Sequence, residues 1–190
     1  MGRPNASIVI RVKNEARAIA ATLGRIAIQR DVADFEVIVV DSGSTDGTLD
    51  VVRGTPARLL EIPACTFTYG RALNIGVAAA ESERIVSLSA HSFPADEHWL
   101  ASLLAPLDED LVAGVYGQHL LTSHASIPDR IAVGLSGVAR KRPRTQTRSV
   151  LFSNANSASG AIWRWRTRST SRWRAARMLR GRSGCSGAVG

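Results

Sequence analysis

At 190 residues the chain is long enough for one domain with its own core, and no apolar run approaches the roughly 20 residues a membrane helix needs. The formal net charge of +8 invites a nucleic-acid partner, yet residues 1–156 carry 16 basic against 16 acidic side chains. The whole excess is eight arginines between Arg164 and Arg182, so the body of the chain has no basic bias. Met1-Gly2-Arg3-Pro4-Asn5 lacks the apolar stretch of a signal peptide. Cys65 and Cys185 lie far apart with no Cys-x-x-Cys pair, which suits a reducing cytosol and speaks against a disulfide scaffold.

Ser7–Val12 (SIVIRV) reads as a first buried strand, ended by Lys13-Asn14-Glu15 with Asn14 as the N-cap of the next helix. In that helix Ile19, Leu23 and Ile26 share one face. Phe35–Val40 is a second strand, rich in β-branched residues and almost wholly apolar, as a strand buried on both faces should be. It breaks into Asp41-Ser42-Gly43-Ser44-Thr45-Asp46-Gly47, all turn and cap formers, before a short helix from Thr48 capped by Asp46 or Thr45. Strand, helix, strand, helix within about fifty residues implies right-handed crossovers and a parallel sheet. A polar loop at the carboxyl end of a buried strand is where such sheets bind ligands, with the Asp41 carboxylate free at that edge; the competing reading is a well-capped turn and nothing more.

Arg58–Ile62 is a third strand, closed by Pro63, and Ala64–Gly70 a loop. Arg71–Ala80 is a helix of small residues in which Gly76 costs ~1 kcal/mol relative to alanine. Arg84–Ser89 is a fourth strand with Ala90–Pro94 as its terminal loop. Asp96–Leu104 is a helix with Trp99, Leu100 and Leu103 inward, and Leu111–Gln118 is a fifth strand. Beyond it regular pattern fades, and Arg140–Arg148 is basic and turn-rich. There is no internal repeat.

Taken together, SIVIRVKNEA and EVIVVDSGSTDGT at this spacing resemble the family 2 glycosyltransferases of GT-A fold. FTYGRALNIGVAAAESERIVSLSAHSFPAD is similar to the stretch leading into that family's metal loop. FSNANSA, at Phe152–Ala158, is similar to a segment before its acceptor-side helix. The resemblance covers residues 6–157 and implies an α/β fold, a mostly parallel sheet flanked by helices, incomplete on its C-terminal side. It implies transfer of a sugar from a nucleotide-diphospho-sugar donor to a saccharide or lipid-linked acceptor, with inversion, in cell-surface polysaccharide biosynthesis. The expected location is the cytoplasm or the inner face of the membrane, with the Arg140–Arg148 stretch as a peripheral contact or a solvated loop.

Carried over position by position, Asp41 matches the aspartate that holds the base or ribose of the donor, with Ser42 beside it. Arg11, Lys13 and Glu15 match the strand end lining the same pocket. Asp46 matches a loop aspartate that caps or contacts ligand. Tyr69, Arg71 and Asn74 contact the nucleotide or the diphosphate, or else Tyr69 packs and Asn74 bonds within its turn. The chain departs from the family at the Asp-x-Asp metal motif, which aligns with Ser89-Ala90-His91. Mg²⁺ wants oxygen ligands, so the divalent cation (Mn²⁺ or Mg²⁺) that the resemblance implies is poorly served. His91 ligates a softer ion such as Mn²⁺, donates to the diphosphate, or is a loop histidine. Asp96 is a replacement ligand or a cap, while His98, His119 and His124 share no site-building spacing.

An inverting transferase needs a general base for the acceptor hydroxyl, and no acidic residue follows Asp129. No catalytic base is therefore assigned, and donor binding with weak or no turnover is expected. Residues 158–190, rich in Arg, Trp, Ser and Gly, are expected to be a disordered tail. Its composition and sudden loss of acids suit an out-of-frame read of a GC-rich gene. A solvated tail is the plain alternative. An Arg/Trp arm binding RNA or an anionic surface would make this a different class of protein. A partner-binding pseudoenzyme acting through an uncovered sheet edge is a third class.

Overall fold

The computed structural model describes residues 2–110, 112–117 and 155–160. Four parallel strands, β1 (Ala6–Val12), β2 (Phe35–Asp41), β3 (Arg58–Glu61) and β4 (Ile85–Ser89), form most of one sheet. Two short antiparallel strands, β5 (Gly114–Tyr116) and β6 (Asn156–Ser159), complete it in the spatial order β3-β2-β1-β4-β6-β5. Helices α1 (Ala16–Ala27), α2 (Thr48–Arg53), α3 (Tyr69–Ala79) and α4 (Trp99–Leu104) cover it. No described helix is long and apolar enough to cross a membrane.

Strand alternation divides the core into two layers. Ile8, Ile10 and Val12 of β1, Val39 of β2, and Val86 and Leu88 of β4 pack with Ile19, Leu23 and Ile26 of α1, Val52 of α2 and Leu100 and Leu103 of α4. Val9, Ile38, Val40 and Ile85 face the other way, onto Ala72, Leu73 and Val77 of α3. Helices on both faces explain why the central strands are nearly continuous apolar runs instead of alternating ones.

Gly76 has a packing reason within α3. A Cβ there would lie 2.3 Å from Val9 Cγ1 and 3.2 Å from Val40 Cγ2, so the glycine lets the helix sit directly on β1 and β2.

The order of the strands fixes where a ligand can enter. The chain runs outward from β1 through β2 to β3, then crosses back to place β4 on the other side of β1. The carboxyl ends of β1 and β4 therefore flank the point at which the winding reverses, which in open α/β sheets is the binding crevice.

Several boundaries differ from the sequence reading. The helix expected from Asp96 begins at Trp99, because the Asp96 carboxylate accepts the His98 N–H at 3.0 Å in a preceding turn. Gln29, just past α1, accepts the Leu100 N–H at 2.8 Å and so caps that helix from outside. The fifth strand is three residues long where eight were expected.

β6 was not foreseen, and the domain end expected at residue 157 falls inside it. Its Ser157, Ala158 and Ser159 are buried, too small and polar to read as a strand. Asn156 fastens it by accepting the Trp99 indole N–H at 3.1 Å. Cys65 sits in a 3-10 turn after β3, and Cys185 lies outside the described residues. The Arg140–Arg148 stretch, His119, His124 and residues 161–190 lie outside the described residues.

Candidate functional site

The loops after β1 and β2 meet at the carboxyl edge of the sheet and are stitched together by side chains. Asn14 is not the N-cap of α1; it takes a left-handed φ of 51° and lies in the joint between the loops. Its N–H donates to Ser44 Oγ at 2.8 Å, and its Oδ1 accepts the Thr45 N–H at 2.8 Å. The Glu15 N–H donates to Thr48 Oγ1 at 3.0 Å. Asp46 supplies the missing cap from the other loop: Oδ2 accepts the Ala16 N–H at 3.1 Å and Oδ1 the Thr48 N–H at 3.1 Å. One carboxylate thus serves the first turns of α1 and α2, where the helix dipoles favour an anion.

The Thr48 hydroxyl also donates to Oδ1, and this bond first, then the others, holds the Asp46 carboxyl below the usual carboxylate range. A folded pKa below the unfolded one stabilises the fold above the unfolded value, and the gain is lost as pH falls through the folded value. Urea unfolding of Asp46→Asn should therefore show a deficit near neutral pH that closes below about pH 4. A deficit constant with pH would mean the charge of the cap is irrelevant.

Asp41 ends β2 where the sequence places it, but its carboxylate is buried and engaged instead of free. Oδ1 accepts the N–H groups of Gly43 at 2.7 Å and Ser44 at 2.9 Å, and Oδ2 accepts the Ser44 hydroxyl. Gly43, at φ +88°, provides the left-handed step that turns the loop back over the carboxylate. Ser42 is buried beside it and donates through its N–H and Oγ to the Val12 carbonyl, at 3.2 and 3.3 Å, tying the ends of β1 and β2.

Arg11 pairs in register with Val40 on one side and Ser89 on the other, on the α3 face. Asp41 pairs with Val12 and belongs to the opposite face, so the two residues approach the edge from different sides. The Arg11 guanidinium lies 5.5 Å from the centroid of the Tyr69 ring, and Nη1 reaches the Tyr69 carbonyl at 3.4 Å. Its Nε is buried without a hydrogen-bond partner, and it forms no ion pair among the described residues. Burial lowers its pKa, with Tyr69 opposing. Tyr69 does not pack away: it is 73% exposed at the start of α3, with Phe67 edge-on at 5.2 Å.

Glu15 and His91, given separate tasks from the sequence, are brought together. His91 Nδ1 lies 3.2 Å from Glu15 Oε1, and Nε2 lies 3.2 Å from Ser89 Oγ. Arg71 is half-buried in the first turn of α3, its N–H capped by Thr68 Oγ1 at 3.1 Å, and Asn74 is exposed one turn on. Lys13 is exposed beyond the end of β1. His98 stands apart, 2.7 Å from Asp31, as a surface pair. Among the described residues no group of three His, Cys, Asp or Glu side chains could hold a metal ion.

The sequence of the family described as Glycosyl transferase family 2 matches residues 7–169. The chain belongs to glycosyltransferase family 2. It is 34% identical over 154 residues to a validoxylamine A glucosyltransferase of Streptomyces hygroscopicus, covering 78% of this chain and 32% of that protein. It is 32% identical over 108 residues to chondroitin synthase of Escherichia coli, covering 55% of this chain and 16% of the other. The chain thus spans about a third of the curated glucosyltransferase it matches.

Among solved structures, the mannosyltransferase PcManGT of Pyrobaculum calidifontis, in complex with GDP-Man and Mn²⁺, superposes with TM-score 0.54 and 29% identity. That match covers 63% of this family 2 chain and 37% of the other. Glucosyl-3-phosphoglycerate synthase of Mycobacterium tuberculosis, in complex with UDP, gives TM-score 0.57 at 22% identity, over 85% of this chain and 58% of that one. The mostly parallel sheet flanked by helices is the GT-A architecture of nucleotide-sugar transferases, as the resemblance implied.

Proposed function

We propose that this chain is the donor-binding part of an inverting glycosyltransferase, taking a nucleotide-diphospho-hexose at the carboxyl edge of β1, β2 and β4. The observation that carries the reading is the pair of stitched loops at the winding reversal, with Asp41, Arg11 and Glu15 along one edge. Asp41 holds the donor's nucleoside through Oδ2. A ribose or base donor would replace the Ser44 hydroxyl there, exchanging one hydrogen bond for another at little net cost. Tyr69 offers an exposed aromatic face at the same edge, and Arg71, Asn74 and Lys13 border it.

The relatives support a hexosyl donor: one is named a glucosyltransferase and another structure holds GDP-Man. A saccharide or lipid-linked acceptor, as in surface-polymer synthesis, fits the likeness to a chondroitin synthase. No described residue is assigned as the base for the acceptor hydroxyl. The mannosyltransferase complex contains Mn²⁺ together with GDP-Man, which supports a divalent cation at such a site. The donor set here does not suit one: an imidazole already against Glu15 and a hydroxyl, with a guanidinium in the adjoining register position.

Isothermal titration of the full chain with UDP, GDP and dTDP tests the reading. Saturable binding of at least one is expected. Failure of all three, with and without Mn²⁺, would contradict it.

A further inference from the structure

We infer that the donor's diphosphate is held by this chain's own cation, Arg11, with Ser89 and His91, in place of a divalent metal ion; this rests on the donor-binding reading above.

The argument begins with charge. Cα register pairs Arg11 of β1 with Ser89 of β4, so Arg11 is the cross-strand neighbour, on the same face, of the first position of the segment that aligns with the metal motif. A carboxylate at 89 would face Arg11 and neutralise it. With serine there, the positive charge has no acidic partner among the described residues. Arg11 is also held short of full solvation. Burial depresses its pKa, Nε has no partner, and among the described residues the guanidinium makes one long hydrogen bond, to the Tyr69 carbonyl. A half-buried, under-satisfied guanidinium favours an anion, and its planar fork matches phosphate oxygens.

The position agrees with the chemistry. Arg11 and Ser89 stand at the carboxyl ends of β1 and β4, which flank the reversal of winding. His91 extends the cluster, oriented by Glu15 at 3.2 Å and adjoining the Ser89 hydroxyl. The segment that resembles a metal loop therefore presents a hydroxyl and an imidazole, and Arg11 of the neighbouring strand adds a guanidinium; all three can bond phosphate oxygens directly. Glu15, the one acid in the cluster, is engaged by His91.

Titration of the full chain with UDP, GDP and dTDP, once in EDTA and once in Mn²⁺, separates this inference from the reading it rests on. The inference expects the affinity for the best nucleotide to agree within about twofold between the two media. Arg11→Gln should weaken that affinity about tenfold or more in EDTA, the scale of one charge-assisted hydrogen bond. Ser89→Asp, which gives Arg11 an internal partner, should weaken it likewise and make Mn²⁺ helpful. Circular dichroism checks that both variants fold, and either variant alone suffices if the other does not. Binding seen only with Mn²⁺ overturns the inference and leaves the donor-binding reading intact. Binding in EDTA that a folded Arg11→Gln or Ser89→Asp retains unchanged overturns it as well. No binding in either medium overturns both.

Discussion

Replacing Asp41 by alanine is expected to abolish measurable nucleotide binding and to cost the fold about 2 kcal/mol, on the scale of partly buried donors left unpaired. The substitution deletes the acceptor of three hydrogen bonds at once: the Gly43 and Ser44 N–H groups on Oδ1, and the Ser44 hydroxyl on Oδ2. Because the same loop bonds through Thr45 to Asn14 and through Asp46 to Ala16, the damage should spread to the start of α1. Alanine therefore confounds a lost ligand contact with a collapsed loop. Asparagine separates them. Its amide oxygen can still take the two N–H groups, so Asp41→Asn should unfold close to the parent. It removes the charge and one acceptor, so nucleotide affinity should fall about tenfold. A folded asparagine variant that binds nucleotide as well as the parent would leave Asp41 a loop-building residue only.

Gly76→Val is expected to be the most destabilising substitution in α3, at ~3 kcal/mol, the upper part of the range for forced overpacking. A bare Cβ would already lie 2.3 Å from Val9 Cγ1, and Val9 is fully buried between β2 and β4. Val40 Cγ2 at 3.2 Å blocks retreat toward β2. Alanine is a milder probe: helix propensity gains ~1 kcal/mol, so the net loss should be smaller, about 1 kcal/mol. Thermal unfolding reads this directly, since ~3 kcal/mol corresponds to a midpoint lowered by roughly 6–12 °C in a domain of this size. A Gly76→Val variant as stable as the parent would mean that α3 can lift from the sheet without cost.

Periodicity made the first ninety residues legible. Ile8, Val9, Ile10, Val39 and Val40 announce two-faced burial, and the Asp41–Gly47 loop announces a turn at the sheet's carboxyl edge. What periodicity could not convey was which loop caps which helix. Asn14 looked like a cap by position, yet the cap comes from Asp46 thirty residues away, because the parallel register brings the two loops together. The same register set Arg11 beside Ser89, a juxtaposition no local pattern encodes. β6 escaped notice for a different reason. Asn-Ser-Ala-Ser has no strand propensity, and it is ordered by β4, β5 and the Trp99 indole. Glu15 and His91 were each noted from the motif, but their contact across the β1 and β4 ends was not.

The most direct test is a crystal structure of the full chain with the tightest-binding nucleoside diphosphate. The account predicts the nucleoside within hydrogen-bond distance of Asp41 Oδ2 and the diphosphate toward Arg11 and Ser89. A nucleotide seated elsewhere, with Asp41 still bonded only to Gly43 and Ser44, would contradict it.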